Sequence, residues 1–325
     1  MLKRRFNYLL GFLFLVALAL HQPSMALSYP THPVRLVTPY PPGGGTDAVA
    51  RPLAASFSKA WGQPVVVDNR GSAGGVIAVQ MVASAQPDGY TLFLSSSGVM
   101  VSAPLIMKST GVHIEHDFKT VGLASILPAF LMTQASAPVN TVQELINLAR
   151  SNPKKYTFSS SGTGGGHHLA VELLKALTGV DVTHIPYKGG GPAIVALLGS
   201  EVSYTFGNYP AARPHLQSGR LKAIAVAGEK RSVLMPLIPT MVESGLPEFI
   251  YMTWYGIFVP AKTPTAIIRF VNDAMKKALA ERSIVEPLLT QGAEASWSSP
   301  EELARIMTTE SLRWKKVIAS QHLTF

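Results

Sequence analysis

Two hydrophobic periods alternate along the chain. From Val34 onward the apolar runs VRLVTPY, PVVVDN and YTLFLSS recur between 46–61, 75–85 and a segment reaching Lys108. The runs have strand length and the intervening segments carry apolar residues at helical spacing, which predicts an α/β unit with a mostly parallel sheet. After VGLASILPAFLMT, the segment TVQELINLARSNP offers Thr141 and Glu144 as a capping box and Val142, Leu145, Ile146 and Ala149 as one apolar face. A second series follows: YTFSSSG, a helix over 167–178, VTHIPY, a helix over 191–199, VSYTFGN, a short helix near 211–218, and LKAIAVAG.

The C-terminal part reads as helical. Thr263 before Pro264 marks a helix start with Ile267, Phe270, Val271, Ala274 and Leu279 following, and Ser299, Pro300 and Glu302 mark another carrying Leu303, Met307, Trp314 and Ile318. Both are expected to pack on the first unit. Chain crossings near 128–134 and 221–228 would leave a cleft between two units, faced by strand-to-helix loops, and ligands of such sheets bind beyond the carboxyl ends of the strands.

The first residues stand apart from this grammar. MLKRR is a basic stretch, LLGFLFLVALAL an apolar run too short for the ~20 residues of a membrane span, and PSMA a small-residue cleavage region, so 1–26 reads as a secretory signal peptide cut after Ala26. The formal charge of +9 falls to +6 once Lys3, Arg4 and Arg5 leave with it. The remaining bases are scattered, without the basic and aromatic clustering of a nucleic-acid interface. The chain has no cysteine, which excludes disulfides, thiolate metal sites and thiol nucleophiles.

Three glycine-rich turns lie at strand-to-helix junctions: PPGGGTD, SSSGTGGGHH and YKGGGP. A helix N-terminus offers unpaired N–H groups and roughly half a positive charge, which suits an anion. None of the turns has the GxxxxGK[ST] or GxGxxG spacing of a nucleotide cradle, and Lys188 precedes its glycines. A carboxylate fits better, with the hydroxyls of Ser159, Ser160, Ser161 and Thr163 beside the second turn; taken singly, each is equally explained as a plain tight turn. Asp47, with Arg51 four residues on, reads as a cap in the first helical turn. Pro52 deletes a hydrogen bond to Ala48, which predicts a helix effectively starting at Pro52. No GxSxG elbow or HExxH pair is present, and His167 and His168 are adjacent, pointing about 100° apart on a helix. No cofactor or metal is expected. Tyr204, Phe206, Asn208 and Tyr209 are candidate pocket walls.

Seven ordered segments, VTPYPPGGGTDAVAR, GQPVVVDNRGSAGGVIA, PDGYTLFLSSSG, SSSGTGGGHHLAVELLK, IPYKGGGPAIVALLGSEV, FGNYPAARPHLQSGRLKAIAVAGEKR and WYGIFVPAKTP, resemble the landmarks of the Bug family, extracytoplasmic receptors of tripartite tricarboxylate transporters. The resemblance implies a type II periplasmic binding protein fold: two α/β domains with mixed sheets, joined by two crossing strands around a central cleft. It implies domain 1 over 27–127 and 229–325, domain 2 over 128–228, and a small carboxylate held by main-chain N–H groups and hydroxyls of two loops. Carried onto this chain, the first loop is Pro42, Gly43, Gly44, Gly45, Thr46 and Asp47. The second is Ser159, Ser160, Ser161, Gly162, Thr163, Gly164 and His167, with Tyr40, Ser96, Tyr187, Lys188, Gly189 and Asn208 as walls.

The implied protein is a periplasmic monomer that performs no chemistry and hands an organic acid to membrane permease subunits. Ligand identity stays open among aromatic acids, dicarboxylates and amino acids. Gly207 stands where many relatives have an acidic residue, which puts recognition of an ammonium group in doubt, and the SQHLTF ending departs from the family pattern. Two other readings remain: an exported hydrolase using a serine of SSSG with His167 or His168, and a receptor presenting its ligand to a sensor protein.

Overall fold

The computed structural model describes residues 29–40, 42, 45–72, 75–106, 111–163, 165–187 and 189–321. The expected signal peptide, the last four residues, and Gly43, Gly44, Gly164 and Lys188 lie outside the described residues. His32–Phe325 forms one unit, to which everything below refers.

Two mixed sheets organise it. The first has six strands: β1 (Val34–Thr38), β2 (Val65–Asn69), β3 (Thr91–Ser96), β4 (Phe118–Leu127), β10 (Thr253–Pro260) and β11 (Glu294–Ala295), in the order β11-β4-β10-β3-β1-β2. The second has five: β5 (Ala129–Gln134), β6 (Thr157–Ser160), β7 (Thr183–Pro186), β8 (Tyr204–Asn208) and β9 (Leu221–Val226), in the order β7-β6-β8-β5-β9. β1 runs parallel to β2 and β3, and β6 parallel to β7 and β8, as expected for strands joined through helices. β10 and β11 run against the other strands of the first sheet, and β5 runs against both its neighbours, β8 and β9, in the second.

The apolar run 121–132 divides between the sheets at Pro128, where β4 gives way to β5. The chain returns after β9 and re-enters the first sheet at β10. The two passages are stitched together: Ala227 N–H donates to Ala129 O at 2.9 Å, and Tyr251 N–H to Ala227 O at 2.8 Å. The period-2 alternation of β5 explains why it is buried on both faces. Ala129 and Leu131 join the large core, whereas Phe130 and Met132 join a second core with Ile194, Leu197 and Leu221.

The helices follow the sequence pattern with three corrections. Helix α1 (Gly45–Trp61) runs through Pro52 instead of starting there. Its apolar stripe of Val49, Ala50, Leu53, Ala54 and Phe57 is buried, and that packing outweighs the single missing N–H. Thr46 lies inside the helix and does not cap it. Thr263 does not cap the later helix either: Pro264 occupies the N-cap position with no side-chain cap bond, and the Thr263 hydroxyl is buried without a hydrogen-bond partner. The Thr141 cap is present, accepting from Glu144 N–H at 3.1 Å, and Glu144 reaches back to Asn140 N–H at 2.6 Å.

The remaining elements relevant to the site are α2 (Val142–Ser151), α3 (Gly166–Thr178), α4 (Gly190–Leu198), α5 (Tyr209–Gln217), α6 (Thr265–Ala278) and α7 (Pro300–Ser320). Among these, α6 packs on α1 and β4, as expected. Helix α7 packs on β4 and also on α3, so it spans both sheets. Ser299 caps α7, accepting from Glu302 N–H at 3.2 Å.

Candidate functional site: two helix starts backed by tyrosines

The first jaw is the turn between β1 and α1. Asn69, at the end of β2, fixes it: its side-chain nitrogen lies 2.8 Å from Thr38 Oγ1, 3.1 Å from Tyr40 O and 3.2 Å from Asp47 Oδ1. Asp47 Oδ2 accepts from Arg51 Nε at 2.7 Å. The buried carboxylate, in the first turn of α1, is thus bonded to side chains of the chain itself. Pro42 is exposed. Tyr40 Oη and Ser96 Oγ are 3.3 Å apart, at the carboxyl ends of neighbouring strands.

The second jaw is the turn between β6 and α3. Here the serines separate. Ser159 Oγ donates to Ala193 O at 3.2 Å, and Ser160 Oγ lies 2.6 Å from His184 Nε2 and accepts from Gly162 N–H at 3.1 Å. Both serines are fully buried, so their hydroxyls serve the turn itself. Gly162 adopts φ 141°, which suits glycine. Ser161 is half-buried and its hydroxyl makes no hydrogen bond among the described residues, and Thr163 is exposed. The Gly162 N–H is consumed by Ser160 and the Gly165 N–H by Gly162 O at 3.3 Å. Among the described residues, the first-turn N–H groups of α3 at Gly166 and His167 make no hydrogen bond within the chain, and Ser161 and Thr163 lie just before them in sequence.

His167 is buried, and Asn208 Oδ1 lies 3.1 Å from its Nε2. Burial pushes the imidazole pKa down and Asn208 opposes this, so His167 is neutral at neutral pH. The pair joins the end of β8 to the second jaw. Tyr187 points to the rim, its hydroxyl donating to Glu201 Oε2 at 3.1 Å. Gly189, at φ 112°, donates its N–H to Ser161 O at 3.2 Å and so closes the second jaw from behind. Tyr204 and Phe206 belong to the core, and Tyr209 is partly buried against the second core. A Cβ on Gly207 would lie 2.8 Å from Met132 Cε, so packing explains the absence of a side chain there.

Three residues that the sequence did not single out complete the site. Tyr255, on β10, bonds Thr46, and its hydroxyl would lie 2.5 Å from a Cβ built on Gly45. Tyr251, just before β10, places its hydroxyl against Gly166 in the same way and bonds Thr253 Oγ1 at 3.1 Å. Burial pushes both phenols up, well beyond the ordinary tyrosine range, and raises Tyr40 as well, so all three remain neutral hydroxyls. The third is His184. The aromatic string YMTWYG and the histidine of VTHIPY were the available signals, but nothing in their local pattern says which loop a side chain will reach.

The hydrolase reading meets a specific obstacle. His167 pairs with Asn208, and His168 lies 3.6 Å from Glu172; among the described residues neither ring forms a hydrogen bond with a serine. The serine beside a histidine is Ser160, whose side chain has no exposure. Among the described residues, no group of three or more His, Cys, Asp or Glu is arranged to hold a metal ion, and no helix is long and apolar enough to cross a membrane.

Comparison with known proteins places this geometry. The family model described as "Tripartite tricarboxylate transporter family receptor" matches residues 49–323. The chain is 36% identical over 307 residues to BugT of Bordetella pertussis, covering 94% of each. Among solved structures it is similar to R. palustris Rpa4515 with adipate, at 35% identity and TM-score 0.76, covering 91% of this chain and 99% of that one. It is also similar to MatC from Rhodopseudomonas palustris with bound malate, at 32% identity and TM-score 0.72, covering 89% and 100%. The architecture is that of a type II periplasmic binding protein, with two mixed α/β sheets about a central cleft. The chain belongs to the receptor family of the tripartite tricarboxylate transporters, the Bug proteins, and is a solute-binding receptor.

Proposed function

We propose that the protein is a periplasmic receptor that captures a small carboxylate between its two jaws and delivers it to the permease subunits of a tripartite transporter. The observation that carries this is the pairing of two helix starts, at Gly45 and Gly166, each backed by a neutral tyrosine hydroxyl from the same returning chain. Helix N-termini favour anions, and the acidic side chain nearest the first jaw, Asp47, is already bonded to Arg51 and Asn69. Adipate and malate, carried by two relatives, make dicarboxylates the first ligands to try.

Residues 1–26 would direct export and be removed after Ala26. Domain 1 would comprise 27–127 and 229–325, domain 2 would comprise 128–228, and the passages near 128–134 and 221–228 would act as the hinge. Ligand contacts to both jaws would then stabilise the closed state. The mature protein would work as a monomer without chemistry.

Thermal-shift screening of the mature chain against adipate, malate, aromatic acids, amino acids and matched neutral amides tests the reading. A carboxylate is expected to raise the midpoint, by mass action, where its amide does not. A rise with neutral solutes alone would exclude an anion site.

A further inference from the structure

We propose that His184, outside the ligand-facing surface, is a positioning residue of the second jaw: through Ser160 it fixes the turn that presents the α3 N–H groups to ligand. The inference rests on the carboxylate-receptor reading and adds to it a residue acting from the far side of the loop.

The geometry is a relay. His184 sits on β7, opposite Phe158 of β6, and its Nε2 lies 2.6 Å from Ser160 Oγ at the end of β6. Ser160 Oγ in turn accepts from Gly162 N–H at 3.1 Å and lies 3.1 Å from Gly162 O. The serine has a single proton. Given to the nearer partner, Nε2 of a neutral ring, it leaves the oxygen's lone pairs for Gly162 N–H and puts the ring proton on Nδ1. The amide of Gly162, held at φ 141°, is thereby oriented. Its carbonyl receives Gly165 N–H, and Gly189 N–H closes onto Ser161 O. These bonds tie down Ser161, Gly162 and Gly165 just ahead of Gly166, where α3 begins. Without the ring nitrogen the Ser160 proton would turn to Gly162 O, and the side chain would lose the anchor that holds its oxygen at Gly162 N–H.

The ring is itself held in place. His184 stacks on His168 with centroids 3.8 Å apart and planes 13° from parallel. His168 Nε2 lies 3.6 Å from Glu172 Oε1, and Lys175 Nζ lies 2.9 Å from Glu172 Oε2. His168, Glu172 and Lys175, all on α3, are thus the titratable groups facing His184. Burial first, then the neighbouring His168, lowers the His184 pKa to about 4, so the ring is a neutral acceptor through the working range. Ser160 has no exposure and cannot touch a ligand, so its hydroxyl has no evident role except in this relay.

Two substitutions separate positioning from packing. His184→Phe keeps the stack on His168 and removes the nitrogen; His184→Gln sets an amide near the Nε2 position and gives up the ring. Adipate and malate are titrated into the wild type and both variants by calorimetry, and hydrogen exchange of the segment containing Gly162 is followed in the ligand-free proteins. Loss of one hydrogen bond predicts about tenfold weaker binding and faster Gly162 exchange in His184→Phe. His184→Gln is expected to stay within about threefold of wild type, on the same ground that its amide replaces the bond. Wild-type affinity and exchange in His184→Phe, with the loss appearing in His184→Gln, would show that the ring only fills space and overturn the proposal. If even the wild type binds neither acid, the choice of dicarboxylate is wrong, and exchange in the ligand-free proteins still decides the role of His184: equal rates in all three refute it, faster exchange in His184→Phe alone supports it.

Discussion

Tyr251 and Tyr255, four residues apart on the chain returning to the first sheet, place their hydroxyls beneath the first residues of α3 and α1 respectively. One short segment therefore supports both jaws. Any side chain at either helix start would collide with a phenol that is buried and cannot swing away, Tyr251 being 5% exposed and Tyr255 6%.

Gly45→Ala puts a methyl group on the Tyr255 hydroxyl. Overpacking of this kind costs about 1–3 kcal/mol, and the displaced helix start is expected to weaken carboxylate binding along with stability. Tyr255→Phe removes the obstructing oxygen, so the double variant Gly45→Ala/Tyr255→Phe should regain most of the lost midpoint. Thermal melts of the three variants check this, and a double variant no more stable than Gly45→Ala would count against the contact.

Asp47→Ala leaves Arg51 and Asn69 without their carboxylate. Since Asp47 is buried and Arg51 largely exposed, the main loss is the buried bond to Asn69 and the favourable charge in the first helical turn, about 1–2 kcal/mol in all. Denaturant melts should show that loss. The ligand affinity should change less than it does for Gly45→Ala, because the carboxylate faces the chain.

Glu310, on α7, ties that helix to β10: its carboxylate oxygens accept from Trp254 Nε1 at 2.7 Å and, one turn further along α7, from Trp314 Nε1 at 3.0 Å. Glu310→Gln supplies only one acceptor oxygen, leaving one buried indole N–H facing an amide. A destabilisation of about 1–3 kcal/mol is expected, measurable by chemical denaturation followed through tryptophan fluorescence.

Acid should weaken the fold through its histidines. The pKa values of His167 and His184 are lowered in the folded state, the latter to about 4, whereas unfolded histidine titrates near 6.5. Below that value the unfolded chain binds protons the folded one refuses, so stability is complete above pH 6.5 and falls as pH drops toward 4. Glu310, whose burial raises its pKa, acts in the opposite direction. His184→Gln should therefore flatten the decline between pH 6.5 and 4, by about 2 kcal/mol in amplitude after allowance for the ring's partial exposure. Stability curves at stepped pH, wild type against variant, decide it; an unchanged slope would mean that His184 does not carry the effect.

Most of the fold was legible because strand and helix periods are written locally: β1 to β3, the Thr141 cap and α7 follow from spacing and capping residues. Pro52 misled because one lost N–H is weighed against a buried face of α1 that only tertiary packing supplies. The site was half legible. Glycines at strand-to-helix turns announce a backbone that must approach something closely, and Gly45 and Gly166 do so. Tyr251, Tyr255 and Asn69 were invisible, since each reaches its partner across the sheet from a distant part of the chain. Ser159 and Ser160 look identical to Ser161 in sequence, yet strand alternation turns one toward α4 and the next toward His184.

The central claim, a carboxylate held by both jaws, is tested most directly by calorimetric titration of the mature wild type, Gly45→Ala and Gly166→Ala with adipate and malate. One-to-one binding of at least one acid by the wild type, weakened tenfold or more by each substitution separately, is the predicted result. Equal affinity in all three proteins, or binding lost at one jaw and untouched at the other, would contradict it.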